Sequence, residues 1–318
     1  MLQYLVILLD DMSTSFCHHE NRKTERQLIP IDMLKEAIRL GMMENLMIQF
    51  VYPDYGLTQG YKDVIDSIDH SDIVSSLCED EELRKRAEII VFHDWTGLDY
   101  YDFSLEKAYV LRTSKADFFD RYQFLRSVLN KIGRLNVVIT DVDKFTEADF
   151  DTYKRILTTL SAEVERLYVE GKSPQLNLLT DRMMLSQMNN CNAGWENITL
   201  APDGKFYVCP AFYHEGAFSI GSLTEGLDIK NPQLYRLDHA PICRHCDAYQ
   251  CKRCIWLNRK MTLEVNTPSH EQCVMAHLER NASRELLQNV RKHGTFLPEQ
   301  EDIKEIDYLD PFDKRDEW

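Results

Sequence analysis

Cysteine placement constrains this chain more than any other property. Seven of its nine cysteines fall between residues 191 and 273, reading Cys191-x12-Gly204-x4-Cys209, Cys243-x2-Cys246-x4-Cys251-x2-Cys254 and Cys273. Thiolates this close in sequence share a metal ion or an iron–sulfur cluster. In each Cys-x2-Cys knuckle, backbone N–H groups point at sulfur and offset its charge. The spacing alone leaves iron–sulfur and zinc both open, although only four residues separate the knuckles, shorter than the usual zinc-ribbon spacer. The start, Met1-Leu2-Gln3-Tyr4-Leu5-Val6-Ile7-Leu8-Leu9-Asp10, lacks a basic segment and a small-residue cleavage site. We therefore expect the reducing cytoplasm, with cysteines as thiols or metal ligands and not disulfides.

The 318 residues suit one large domain and a smaller one. A net charge of -15 argues against general nucleic-acid binding and against an anionic membrane surface. It suits a neutral or basic peptide partner. No apolar run approaches the roughly 18 residues of a membrane span.

Up to residue 187, apolar runs alternate with amphipathic segments. Strands are expected at Tyr4–Leu9, Met47–Val51, Ile89–Phe92, Tyr109–Leu111, Leu135–Thr140 and Leu176–Leu179. Helices are expected at Pro30–Leu40, stopping near Gly41, at Phe118–Ile132, stopping at Gly133, and at Glu147–Val169 with Thr146 as N-cap. The fold class is α/β: a partial (β/α)6 TIM-like barrel or an open sheet. Polar residues follow the strands: Asp10 and Asp11, Asp54, His93, Arg112, Asp141 and Arg182. In parallel α/β folds these strand ends carry the site, so the seven form a candidate barrel-face pocket. The plainer reading is that every strand must emerge into polar loop. Asp10, Asp54 and Asp141 holding a divalent cation would make a hydrolase, but no local motif supports it.

Cys17-His18-His19 offers metal-binding residue types, yet adjacent side chains on an extended segment point to opposite sides, so a solvated loop is expected there. Cys78 stands alone and reads as structural. Further on, Gly204 marks a hairpin between Ile198–Leu200 and Phe206–Val208. Glu271–Val290 reads as an amphipathic helix carrying Cys273 in its first turn. After residue 296 the chain turns acidic with sparse apolar residues (Ile303, Ile306, Tyr308, Leu309, Phe312, Trp318), which predicts a solvated, partly disordered tail.

The cysteine pattern resembles the SPASM domain, the auxiliary-cluster module of many radical SAM peptide-maturing enzymes. Cys191, Gly204, Cys209, Cys243 and Cys246 match that pattern in order and spacing, while Cys251 and Cys254 match in order with spacers one residue short. The resemblance implies 4Fe-4S clusters, two in the family's manner. One would use Cys243, Cys246, Cys251 and Cys273; the other would use Cys191, Cys209 and Cys254, with Asn197 where the family often has a further cysteine. The radical SAM loop Cys-x3-Cys-x2-Cys is not kept: counting from Cys17, its positions hold Asn21 and Thr24. Val51-Tyr52-Pro53-Asp54 replaces the Gly-Gly-Glu segment. S-adenosylmethionine cleavage is therefore not expected, nor is a catalytic residue assigned.

The first-strand Leu-Leu-Asp-Asp loop and Gln49-Phe50-Val51-Tyr52-Pro53-Asp54-Tyr55 are similar to the CXXX repeat peptide maturases. That resemblance implies maturation of a ribosomally made, cysteine-rich precursor peptide (a RiPP) beside a radical SAM partner enzyme. The alternative is a non-catalytic peptide-binding adaptor whose metal module, zinc or iron–sulfur, is structural. The expected boundaries are 1–187 for the degenerate barrel, 188–296 for the SPASM-like domain and 297–318 for the tail.

Overall fold

A computed structural model describes residues 2–313. Trp318 lies outside the described residues. In chain order the elements are β1 (Tyr4–Leu8), α1 (Ile31–Met43), β2 (Met47–Val51), α2 (Gln59–Ile65), β3 (Ser71–Ser75), α3 (Glu81–Arg86), β4 (Ile89–Phe92), β5 (Ala108–Thr113), α4 (Lys115–Arg121), α5 (Leu125–Leu129), β6 (Arg134–Ile139), α6 (Glu147–Val169), β7 (Gln175–Leu176), α7 (Asp181–Met184), β8 (Asn197–Leu200), β9 (Phe206–Tyr207), α8 (Pro210–His214), α9 (Ile255–Thr262) and α10 (His270–Lys292). Contacts group them into two compact units, each assembled from two stretches of chain.

The first unit holds the chain up to His93 together with Cys191–Ala240. Its strands run β4-β3-β2-β1-β8-β9, all parallel except β9. Leu5, Ile7, Leu8 and Leu9 are fully enclosed, because β1 is paired on both edges and covered on both faces. Each such side chain contributes about 1.5–3 kcal/mol by leaving water. The expected hairpin forms as β8 and β9, with Gly204 at φ +76 in its turn.

The second unit holds Asp94–Asn190 and the chain from Pro241 onward. Here β5, β6 and β7 pair in parallel, and the long helices α6 and α10 pack on each other. The expected Thr146 N-cap is present as a capping box with Asp149, and Ser269 with Gln272 repeats that device at α10.

Four expectations are corrected. Strand β3, Ser-Asp-Ile-Val-Ser, was unforeseen because only two of its residues are apolar; it is buried all the same, and the Asp72 carboxylate meets His70 at 3.3 Å and Arg86 at 3.5 Å. Gly41 does not end its helix but lies inside α1, where a side chain would strike Ile48. The expected helix over 118–132 is broken into α4, a 3-10 turn at Tyr122–Phe124 and α5. The segment from 297 to 313 is not a free tail. Arg291 of α10 bonds Asp302 at 2.5 Å and the carbonyls of Leu297 and Gln300 at 2.8 and 2.7 Å. Ile303 is buried, and His270 Nδ1 meets the buried Asp310 carboxylate at 2.5 Å. Its acids have found the cations of α10, a partnership that composition does not reveal. No helix among the described residues is long and apolar enough to cross a membrane.

Candidate metal centre

Four cysteines of the second unit lie within one another's electrostatic reach. Cys243 opens a 3-10 turn, and Cys246 N–H closes it onto the Cys243 carbonyl at 3.1 Å. The Cys246 sulfur then accepts from Ala248 N–H at 3.4 Å. The second knuckle repeats the pattern, with Arg253 N–H donating to the Cys251 sulfur at 3.4 Å. Gln250 reaches from the knuckle to the Ala276 carbonyl at 2.6 Å, which ties it to α10 and to the Cys273 turn. Gln272 bonds Asn258 at 2.9 Å and joins α10 to α9.

Burial pushes the Cys243 thiol up to about 11, against the pull of Arg253. Burial likewise raises Cys246, Cys251 and Cys273. Cys251 and Cys273 are raised further by the charges of the other thiols, so the four stand within reach of one another's fields. None of these four is in a disulfide. Among the described residues, no three His, Cys, Asp or Glu side chains are arranged to hold a single metal ion. In a cubane each cysteine binds a separate iron, so the ligands surround a core instead of crowding one ion. As a donor set, two buried and two half-buried thiols, with N–H groups aimed at two of the sulfurs, suit thiolate ligation.

Cys191 and Cys209 belong to the first unit, Cys254 to the second. Cys254 caps α9, and its carbonyl accepts from Asn258 N–H at 2.8 Å. Asn197 directs its amide to the Cys191 carbonyl.

The barrel-face candidates are divided too. In the first unit, the loop after β1 folds inward. Asp10 is fully buried and accepts from Tyr55 hydroxyl at 2.8 Å and from Met12 N–H at 2.7 Å. Asp11 accepts from the Tyr213 hydroxyl and lies 3.7 Å from Lys23. Burial and these carboxylates raise both tyrosines. Asn21 donates to the carbonyls of Asp11 and Ser13 at 2.6 and 3.0 Å and so braces the loop. His93 Nε2 lies 2.9 Å from Thr14. His19 is buried and stacks on His214 at 5.3 Å; burial lowers His214 to about 4, so it stays neutral. Asp54 is exposed. In the second unit, Asp141 accepts from Lys115 N–H at 2.6 Å at the start of α4. Arg112 is buried, and Arg182 bonds Asp247 at 3.3 Å with its guanidinium over Tyr249 at 4.3 Å. Each carboxylate named here except Asp54 is engaged by the fold itself, which weakens the hydrolase reading.

Sequence reasoning missed the residues packed round the cysteines. Asp247 is held by Arg280 at 2.9 and 2.6 Å. His277 places Nδ1 2.9 Å from the Cys273 carbonyl and Nε2 3.7 Å from the Cys246 sulfur. Burial lowers its pKa, so the neutral ring carries its proton on Nδ1, the nitrogen facing an acceptor-only group. The one available signal was the arginine inside Cys251-Lys252-Arg253-Cys254.

Glu279 also went unforeseen. Part of the residue reaches the surface, but its carboxyl is enclosed between the Tyr153 hydroxyl at 2.7 Å and Gln250 at 3.4 Å. Burial raises it from 4.5 to about 7. The folded protein thus holds this proton more tightly than the unfolded chain. The resulting stability is full below pH 4.5 and lost as pH climbs to about 7. The increment is on the order of 2–3 kcal/mol. We expect Glu279→Gln to flatten this dependence in denaturant melts between pH 4.5 and 8. An unchanged slope would assign the proton elsewhere.

No family model and no curated protein matches the chain. Among solved structures it is similar to anSMEcpe, an anaerobic sulfatase-maturating radical SAM enzyme. The hexahistidine-tagged form with bound AdoMet aligns at TM-score 0.63 and 10% identity, over 92% of this chain and 96% of that one. The native form with AdoMet and the Cp18Cys peptide aligns at 0.60 and 10%, over 92% and 100%. At such identity the likeness establishes the fold alone, an α/β fold like that of anSMEcpe.

Proposed function

We propose that this protein takes part in maturing a cysteine-rich precursor peptide and holds an iron–sulfur cluster on Cys243, Cys246, Cys251 and Cys273. The observation that carries the reading is a pair of knuckles whose Cys246 and Cys251 sulfurs each accept a backbone N–H, tied by Gln250 to the helix that bears Cys273 in its first turn. The fold adds support, since anSMEcpe has been crystallised with a peptide. When bound, such a cluster supplies an electron store beside the substrate. The chain's own residues do the holding: knuckle N–H groups face sulfur, and Gln250 ties the second knuckle to α10.

S-adenosylmethionine cleavage is assigned to a separate radical SAM partner. Cys17 has Asn21 and Thr24 in the other two cluster positions, and Asn21 is engaged with the loop backbone. The cytoplasm is the compartment that keeps such thiols reduced. Residues 1–187, 188–296 and 297–318 remain our division into barrel, SPASM-like module and tail.

Anaerobic purification tests the reading. We expect a brown protein with about four irons per cubane and broad visible absorption. Iron near eight per chain would mean that thiols beyond these four also hold a cluster. A colourless, zinc-loaded protein would overturn the iron–sulfur assignment and favour the adaptor reading.

A further inference from the structure

The segment after α10 turns back along that helix in a fixed register. Arg291 bonds Asp302 at 2.5 Å and Arg284 bonds Glu305 at 3.4 Å. The His277 ring packs on Tyr308 with centroids 5.5 Å apart, and His270 meets Asp310 at 2.5 Å. The four helix residues stand seven apart, close to two turns, so they form one stripe along α10. Two turns rise about 10.5 Å and three extended residues span about 10 Å, which is why Asp302, Glu305 and Tyr308 keep step with the stripe. Every position of the stripe holds a basic residue type, and three of the four residues facing it are acids.

This strap is latched by polar groups more than it is packed. From Glu301 to Asp313 only Ile303 and Asp310 are buried. The Asp302 and Glu305 side chains are 83% and 79% exposed, and ion pairs so exposed are weak and are screened by salt. Under the strap lies a cleft of about 320 Å³, between Leu157 of α6, Leu278 and Arg284 of α10, and Ile306 and Leu309. Arg284 Nε is buried there without a hydrogen-bond partner. A segment with exposed latches and space beneath it opens locally before the protein unfolds.

What the strap lies over gives it a use. Tyr308 packs on His277, and His277 links the Cys273 carbonyl at 2.9 Å to the Cys246 sulfur at 3.7 Å. We infer that Asp302–Asp310 is an ionically latched cover over the His277 side of the quartet Cys243, Cys246, Cys251 and Cys273, and that its lifting admits small reagents to Cys246. The inference rests on the metal-centre reading only for what that access serves. The access itself is read on the thiols, with or without a metal.

The test is alkylation of the native full-length protein by iodoacetamide, with the rate at each cysteine read by peptide mass spectrometry. Amide hydrogen exchange over Asp302–Asp310 reports whether the strap has lifted. Arg284→Glu and Tyr308→Ala should each speed modification of Cys246 about 5-fold or more, and Arg284→Glu with Glu305→Arg should return it to the wild-type rate. In the wild type, raising sodium chloride from about 50 to about 500 mM should speed it as well, because salt screens the latches. Cys78, buried in the first unit, reports general unfolding and should keep its rate throughout. Exchange that rises while Cys246 stays at the wild-type rate would overturn the cover. So would exchange and alkylation unmoved by every variant and by salt. If Cys78 speeds up with Cys246 in a variant, that variant is unfolding and the salt series on the wild type decides. A protein that holds no metal removes the cluster reading and leaves these rates to decide the cover; a metal-loaded protein with unmoved rates removes the cover alone.

Discussion

Cys273→Ser is expected to remove the iron held by the quartet, taking about four irons per chain to near zero after anaerobic reconstitution. Cys273 is the one member of the four from outside the knuckles, and it stands in the first turn of α10. A serine hydroxyl keeps the shape but is a poor ligand for iron at neutral pH. The protein should also lose stability, because metal binding to a site absent from the unfolded chain is itself folding free energy, about 10 kcal/mol or more for structural zinc. Cys78→Ala provides the control. Cys78 is buried in the first unit and is no member of the quartet, so its loss should leave the iron content unchanged. Equal iron in wild type and Cys273→Ser would remove Cys273 from the site.

The second large effect is expected at Arg280. Its side chain is wholly enclosed and grips Asp247 through Nε at 2.9 Å and Nη2 at 2.6 Å. Arg280→Met leaves the Asp247 carboxylate with only the longer 3.3 Å bond to Arg182. Breaking a buried pair from one side costs about 3–5 kcal/mol. Asp247 is partly open to water, so we expect the lower end, about 3 kcal/mol, in chemical denaturation. Adding Asp247→Asn should recover part of this loss, because the stranded charge is then gone. A loss below about 1 kcal/mol would show that the pair behaves like a surface ion pair.

The parallel strands were legible because they are short apolar runs between polar loops, and the capped helix α6 was legible from Thr146 and Gly171. What sequence could not convey was partnership. β3 was invisible because Asp72 and two serines interrupt it, and its burial becomes acceptable only once His70 and Arg86 are in place. The acidic stretch after residue 297 was read as solvated because its cations, Arg284 and Arg291, lie on another element. The barrel-face list raises the opposite difficulty. Its carboxylates were found, but Tyr55, Tyr213 and Lys115 already engage three of them. The cysteines were legible as a set. The arginines among them were not, since a buried cation has meaning only beside the charge it answers.

The pairing of β1 with β8 sets an order on synthesis. On the ribosome, Tyr4–Leu8 emerges early and finds β2 close behind it in the chain, but its other edge waits for Asn197–Leu200. Through that interval an almost wholly apolar strand offers an open ladder to any neighbouring polypeptide. A barrel fragment cut near residue 187 would carry the same exposed edge permanently. The segment after residue 187 is thus part of what completes the first unit's sheet.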